Sequence, residues 1–219
     1  MKGLLIKDFK LMKNQKTFFM MLLFLAVMFV VTDMASGSFV VGYLTFCGSI
    51  FILSTISYDE FNHGNTFLFT LPFDRKTYAA EKYVLALILG GSCWLLSCLI
   101  TTAAARIRMQ DFHPDEWAQT CLMILVCALL MLSVLIPIQI KFGGEKGRIA
   151  LFIMWGGVMA VVFVAAKILD IMDLDIDSFF NRISSLSITV SVLIGLAVSC
   201  ICLLISYRIS TRILEKKEF

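Results

Sequence analysis

Charged side chains make up only 16% of this 219-residue chain, histidine occurs twice and proline three times, and each scarcity closes off a class of protein. With 59% hydrophobic residues and a mean hydropathy of +0.89, so little charge excludes a soluble globular domain and points to an all-α integral membrane protein. The two histidines, His63 and His113, fall in loops on opposite sides of the membrane in the topology derived below. One chain therefore cannot bring them together as a metal pair, and no metal site is expected. HExxH, GxSxG and GxxxxGK[ST] are all missing, and ionisable groups are nearly absent from the middles of the apolar runs. Membrane proteases, proton-driven carriers and P-loop nucleotide sites depend on such groups. Seven cysteines are present, but each lies inside an apolar run and none has CxxC spacing. They read as small packing residues rather than as a disulfide framework or a zinc site. The opening MKGLLIKDFKLMKNQK is basic and periodic, without the apolar core and small-residue cleavage site of a signal peptide, so its retention is expected.

What the chain has in abundance is apolar runs. Six of them, over residues 17–32, 39–57, 83–105, 117–140, 149–166 and 186–207, are expected to be transmembrane helices within a single domain, 1–219. Ahead of them, residues 1–16 place Met1, Leu4, Leu5, Phe9 and Met12 on one helical stripe with most of the lysines opposite. That pattern predicts an amphipathic helix lying flat in the membrane interface. Six spans leave both termini on one side. Fifteen of the nineteen Lys and Arg fall on that side, which the positive-inside rule makes cytoplasmic. Topology thus explains the net charge of +3, and a nucleic-acid partner is not expected. Ser191, Gly195 and Ser199 form a small-residue face suited either to internal packing or to dimerisation. The acidic stretch around Asp170, Asp173, Asp175 and Asp177 reads as a solvated outer loop.

The stretch from Ser57 to Tyr83 is the one sizeable polar interruption that is also rich in aromatics. Ser57 and Glu60 have capping-box spacing, which predicts a helix start at that point. Pro72 should end it, and Asp74 can cap the next helix. Between the caps sit Phe61, Phe67, Leu68, Phe69, Leu71 and Phe73, more apolar surface than a connector in water should expose. They lie among lipid headgroups or against the protein's own helices or, as favoured here, against a docked partner.

The loop YDEFNHGNTFLFTLPFDRKTYAAEKY and the segment PIQIKFGGEKGR after the fourth span together resemble the ABC-2 type permeases, membrane subunits of bacterial ATP-binding-cassette exporters. The residues carrying the resemblance are Leu71, Pro72, Asp74, Arg75 and Lys76, with Pro137, Lys141, Phe142, Gly143, Glu145, Lys146 and Arg148. Small permeases that export amphipathic cytolytic or antimicrobial peptides, such as phenol-soluble modulins, are similar in size. The resemblance implies a multi-pass protein of the bacterial plasma membrane, with a cytoplasmic coupling helix between spans two and three. In it Phe61, Asn65, Phe67, Leu68, Phe69 and Leu71 would seat in a separate ATPase subunit, present in two copies. Two permease chains, identical or paralogous, would pair among the lipids. This chain would bind no cofactor, and ATP and Mg would sit in the ATPase. Spans two and five would line a cavity, where Phe46, Phe51, Phe152, Trp155, Met159 and Phe163 contact an amphipathic or lipid-like cargo or merely face lipid and other spans. A motor-free membrane anchor or immunity protein that sequesters a peptide is the alternative.

Overall fold

The computed structural model describes residues 2–61, 74–107, 113–171 and 188–217, and for most of 144–171 it describes the backbone alone. Six helices follow one another in these residues: α1 (Lys2–Asn14), α2 (Lys16–Thr32), α3 (Gly37–Glu60), α4 (Arg75–Ile107), α5 (Pro114–Ile171) and α6 (Ile188–Lys216). Four helical stretches, namely α3, α4, the Pro114–Gly143 limb of α5 and α6, are long and apolar enough to cross a membrane. α1 and α2, bent by 63° at Gln15, make a fifth candidate when taken together. The expected fifth span, 149–166, lies in the α5 limb beyond Gly143.

α3 is the central helix, with 12 of its 24 residues buried. Leu53, Ile56 and Phe51 meet Tyr83, Leu85 and Leu89 of α4 and Leu132, Ile136 and Ile140 of α5 in the main core, which Leu4 of α1 and Leu214 of α6 complete. α3 and α4 approach closely where Gly48 faces Cys93, since a Cβ at Gly48 would come within 2.9 Å of the Cys93 Cβ. A smaller cluster of Leu22, Ala26, Val40 and Leu44 joins α2 to α3. The turn between those two helices uses Asp33 in the left-handed conformation, φ 56°, and Ser36, whose Oγ accepts from the Phe39 N–H at 3.4 Å. The small-residue face of α6 packs inward: Ser199 is fully buried, and a Cβ at Gly195 would meet Val126 at 3.2 Å.

Four expectations need correction. Ser57 and Glu60 close α3 rather than open a helix. Ser57 sits inside the last turn of α3, its carbonyl accepting from the Phe61 N–H, and its hydroxyl donates to the Leu53 carbonyl at 2.8 Å and accepts from Gln139 Nε2. A proline in the last turn of the fourth span is expected to kink or end it, but at Pro137 the helix does not end and runs on to Gly143. Residues 141–148, KFGGEKGR, read from their glycines and charges as a short basic turn, but the chain instead breaks at one residue, Gly143 (φ 78°, ψ −176°), with helix on both sides. α1 does not simply float on its apolar face: Leu4 and Asp8 are buried in the bundle, whereas Phe9 is 45% exposed.

Candidate functional site

Among the described residues, the buried charges gather at the end of the bundle that carries α1 and the last turn of α6, called here the charged end. Three helices meet there. Lys82, in the second turn of α4, is fully buried, and its ammonium lies 2.8 Å from Asp59 Oδ2 on α3 and 2.5 Å from Asp8 Oδ2 on α1. Lys7 of α1 donates to Asp59 Oδ1 and stands 3.2 Å from Asp8 Oδ1. The Tyr78 hydroxyl, one turn before Lys82, donates to Asp59 Oδ2 at 3.1 Å. Burying charges this completely is unfavourable unless each is paired, and here each ammonium is shared between two carboxylates on different helices. α1 is thereby latched to α3 and α4.

Glu81 completes the cluster. It is fully buried, 3.5 Å from Lys82 Nζ and within hydrogen-bonding reach of Asp8. It precedes the apolar run that starts at Tyr83. Burial pushes its carboxyl up to about 7, with Lys82 pulling the other way and Asp8 adding to the rise. Once protonated, Glu81 can remain in this site without a cation of its own and can donate to the Asp8 carboxylate.

A second junction lies just inside the first. Proline has no N–H, so Pro137 leaves the carbonyl one turn back, that of Ser133, without its helical partner. Ser206 of α6 supplies the missing donor through its hydroxyl. The same Ser206 oxygen shares a hydrogen bond with the Tyr83 hydroxyl at 2.5 Å, and Tyr83 also meets Ser210 Oγ at 2.9 Å. α4, α5 and α6 are thus stitched together at the carbonyl that the proline frees.

The third junction borders the loop after α3. Glu60 Oε1 accepts from Lys217 Nζ at 2.8 Å, and Lys217 also donates to the Ile140 carbonyl at 3.2 Å. At Gly143 a Cβ would collide with Glu60 Oε2, and the φ/ψ pair there is one that essentially only glycine adopts. Arg75 Nη1 donates to the carbonyls of Leu214, Glu215 and Lys217 at 2.7, 2.9 and 3.1 Å. These belong to the orphan carbonyls at the end of α6, where a cation is favoured.

Of the residues singled out in the sequence, Arg75, Pro137 and Gly143 therefore have defined structural roles. Asp74 stands just before α4, its carbonyl accepting from the N–H groups of Thr77 and Tyr78 at 2.9 and 3.1 Å. Lys76 forms an exposed pair with Glu215 at 3.6 Å. Lys141 lies over the Phe142 ring, 5.1 Å from its centroid. Phe61 ends α3 and is 72% exposed. Asn65, Phe67, Leu68, Phe69, Leu71 and Pro72 lie outside the described residues, as do the side chains of Glu145, Lys146, Arg148, Phe152, Trp155 and Met159. Phe163 is 65% exposed, Phe46 is partly buried, and Phe51 is buried against Phe18 and Phe19 of α2.

Lys7, Asp8, Asp59, Glu81 and Lys82 are not distinguished by sequence from solvated loop or interface charges. Two features of the sequence set a pair of them apart from their neighbours, though not as buried charges. Asp8 is the only acid in a helix otherwise charged by lysines, and Asp59 directly follows an apolar run. Beside this cluster, a cavity of about 620 Å3 opens between the α1–α2 bend, α3 and α5. Ile50, Leu53 and Phe61 form its apolar wall. Its polar groups are already bonded to one another, Gln15 Nε2 donating to the Tyr58 hydroxyl at 2.8 Å and Gln139 Nε2 to Ser57 Oγ at 2.9 Å. The arrangement is suited to holding helices in register and to admitting apolar matter, and it brings no nucleophile and base together.

Compared with known proteins, residues 3–215 match the sequence model of one family, described as ABC-2 family transporter protein. No curated protein and no solved structure matches the chain.

Proposed function

The chain belongs to the ABC-2 family of transporter proteins, and on that premise we propose that it is the permease subunit of an ATP-driven exporter whose motor is a separate ATPase docked at the charged end. The observation that carries this reading is the company kept by the loop after α3. Tyr58, Phe61 and Phe142 expose 51%, 72% and 42% of their surface beside the ion pairs of the charged end, and the segment that follows Phe61 contains Phe67, Leu68 and Phe69. Apolar surface in so polar a setting suits a groove on a partner. The charged end is then cytoplasmic, the chain has six spans in a bacterial plasma membrane, and a second permease chain completes the transporter.

The cargo in this reading is an amphipathic peptide or a lipid-like molecule. The apolar spans offer no counter-ion for a small polar solute, and the cavity by Gln15 and Phe61 pairs an apolar wall with neutral hydrogen-bonding groups. Replacing both Phe67 and Phe69 with Asp should abolish co-purification of the ATPase while leaving the permease inserted, since two carboxylates would have to be desolvated in an apolar groove. Undiminished recovery of the ATPase would refute the docking surface. A wild-type chain that recovers no nucleotide-binding partner would favour a motor-free anchor.

A further inference from the structure

The loop 62–73 enters from α3 and leaves into α4, and both of its ends are tied to one short stretch of α6. On the entry side, Glu60 is held by the Lys217 ammonium and seated against the break at Gly143. On the exit side, Arg75 gathers the carbonyls of Leu214, Glu215 and Lys217, and Lys76 pairs with Glu215. Lys217 serves both sides, its ammonium facing Glu60 and its carbonyl accepting from Arg75. Leu214 anchors the stretch in the main core with 3% of its surface exposed. Partners as distant in sequence as Arg75 and Lys217, 142 positions apart, are brought here by the fold and not by local chain geometry.

We propose that Leu214–Lys217, the end of α6 and the residue after it, is a clasp that fixes Glu60 and Arg75, which flank residues 62–73, relative to each other, so that a push on that segment moves α3 and α4 together. A loop whose ends can shift independently absorbs displacement in its own backbone torsions. One whose ends share an anchor transmits it. The clasp rests on the docking reading for its purpose but not for its existence. Lys217 and Arg75 are in this sense positioning residues for the coupling step, contacting neither nucleotide nor cargo.

The test is Lys217→Glu, which sets two carboxylates face to face, alongside the charge swap Glu60→Lys with Lys217→Glu. In a cysteine-free background, spin labels at Phe61→Cys and Asp74→Cys report the separation of the loop ends in the isolated permease. The distance distribution should be narrow in the parent, broadened by Lys217→Glu and narrowed again by the swap. A width unchanged by Lys217→Glu would overturn the clasp, as would a swap that stays broad. In the full complex, Lys217→Glu should still recover the ATPase and its ATP hydrolysis but lose the change in separation that ATP and vanadate cause between labels at Met34→Cys and His113→Cys. Retention of that change would likewise overturn it. If the wild-type permease recovers no ATPase, the docking reading fails, while the loop-end widths still decide the clasp.

Discussion

The two ends of the bundle are built on different principles. At the charged end, Lys7, Asp8, Asp59 and Lys82 bind α1 to α3 and α4, and Glu60, Arg75 and Lys217 bind α3, α4 and α5 to α6. At the opposite end, α2 and α3 meet through Leu22, Ala26, Val40 and Leu44, and a groove of about 720 Å3 separates α4 from the start of α5. Trp94, Cys98, Thr102, Arg106, Trp117 and Cys121 line this groove, with a hydrogen bond from Trp94 Nε1 to the Cys121 carbonyl at 2.8 Å across it. Buried ion pairs are directional and lose much when one partner moves, whereas apolar contacts slide at little cost. Among the described residues, one end is tied by ion pairs across helices and the other is held by apolar contacts beside an open groove. That division suits a permease pushed from one side to open on the other.

The comparison breaks most visibly at Lys82. Changing Lys82→Met leaves Asp8 and Asp59 buried with Lys7 as the remaining cation of the cluster, and should destabilise the protein by about 3–5 kcal/mol, read as a large drop in Tm in detergent. Adding Asp8→Asn and Asp59→Asn should restore much of the loss. If Lys82→Met alone is neutral, the brace contributes nothing. A smaller effect is expected at Gly143, where Ala would have to adopt a glycine-only conformation and would crowd Glu60, costing about 1–3 kcal/mol. A Tm within a degree of wild type would show that the α5 break is not held as described. The smallest belongs to the opposite end. Trp94→Phe gives up one hydrogen bond on the wall of an open groove and should cost about 1 kcal/mol or less. A loss equal to that of Lys82→Met would erase the contrast between the ends.

The long helices were legible because apolar runs of this length rarely form anything but long buried or membrane-spanning helices, a helix near the start followed from its periodicity, and the family was visible through the resemblance of two segments. What stayed hidden depends on contacts distant in sequence. Pro137 reads as a helix end until Ser206 is known to satisfy the carbonyl it frees. Ser57 has capping-box spacing, but its hydroxyl is engaged within α3 and by Gln139. Lys82 and Lys7 count as solvated cytoplasmic charges under the positive-inside rule, which weighs sign and position and takes no account of burial. Gly143 could be seen to matter, but the atom that crowds it, Glu60 Oε2, lies on another helix.

Everything proposed about the motor requires the charged end to face the compartment that holds ATP. Cysteine accessibility in intact cells tests this most directly. Met34 is 81% exposed in the turn at the opposite end, and His113 stands just before α5. In a cysteine-free background, Met34→Cys and His113→Cys should react with a membrane-impermeant maleimide added outside, and Phe61→Cys and Asn65→Cys should react only after the membrane is permeabilised. The reverse pattern, with Phe61→Cys and Asn65→Cys labelled from outside, would place the charged end away from any cytoplasmic ATPase and contradict the proposed docking outright.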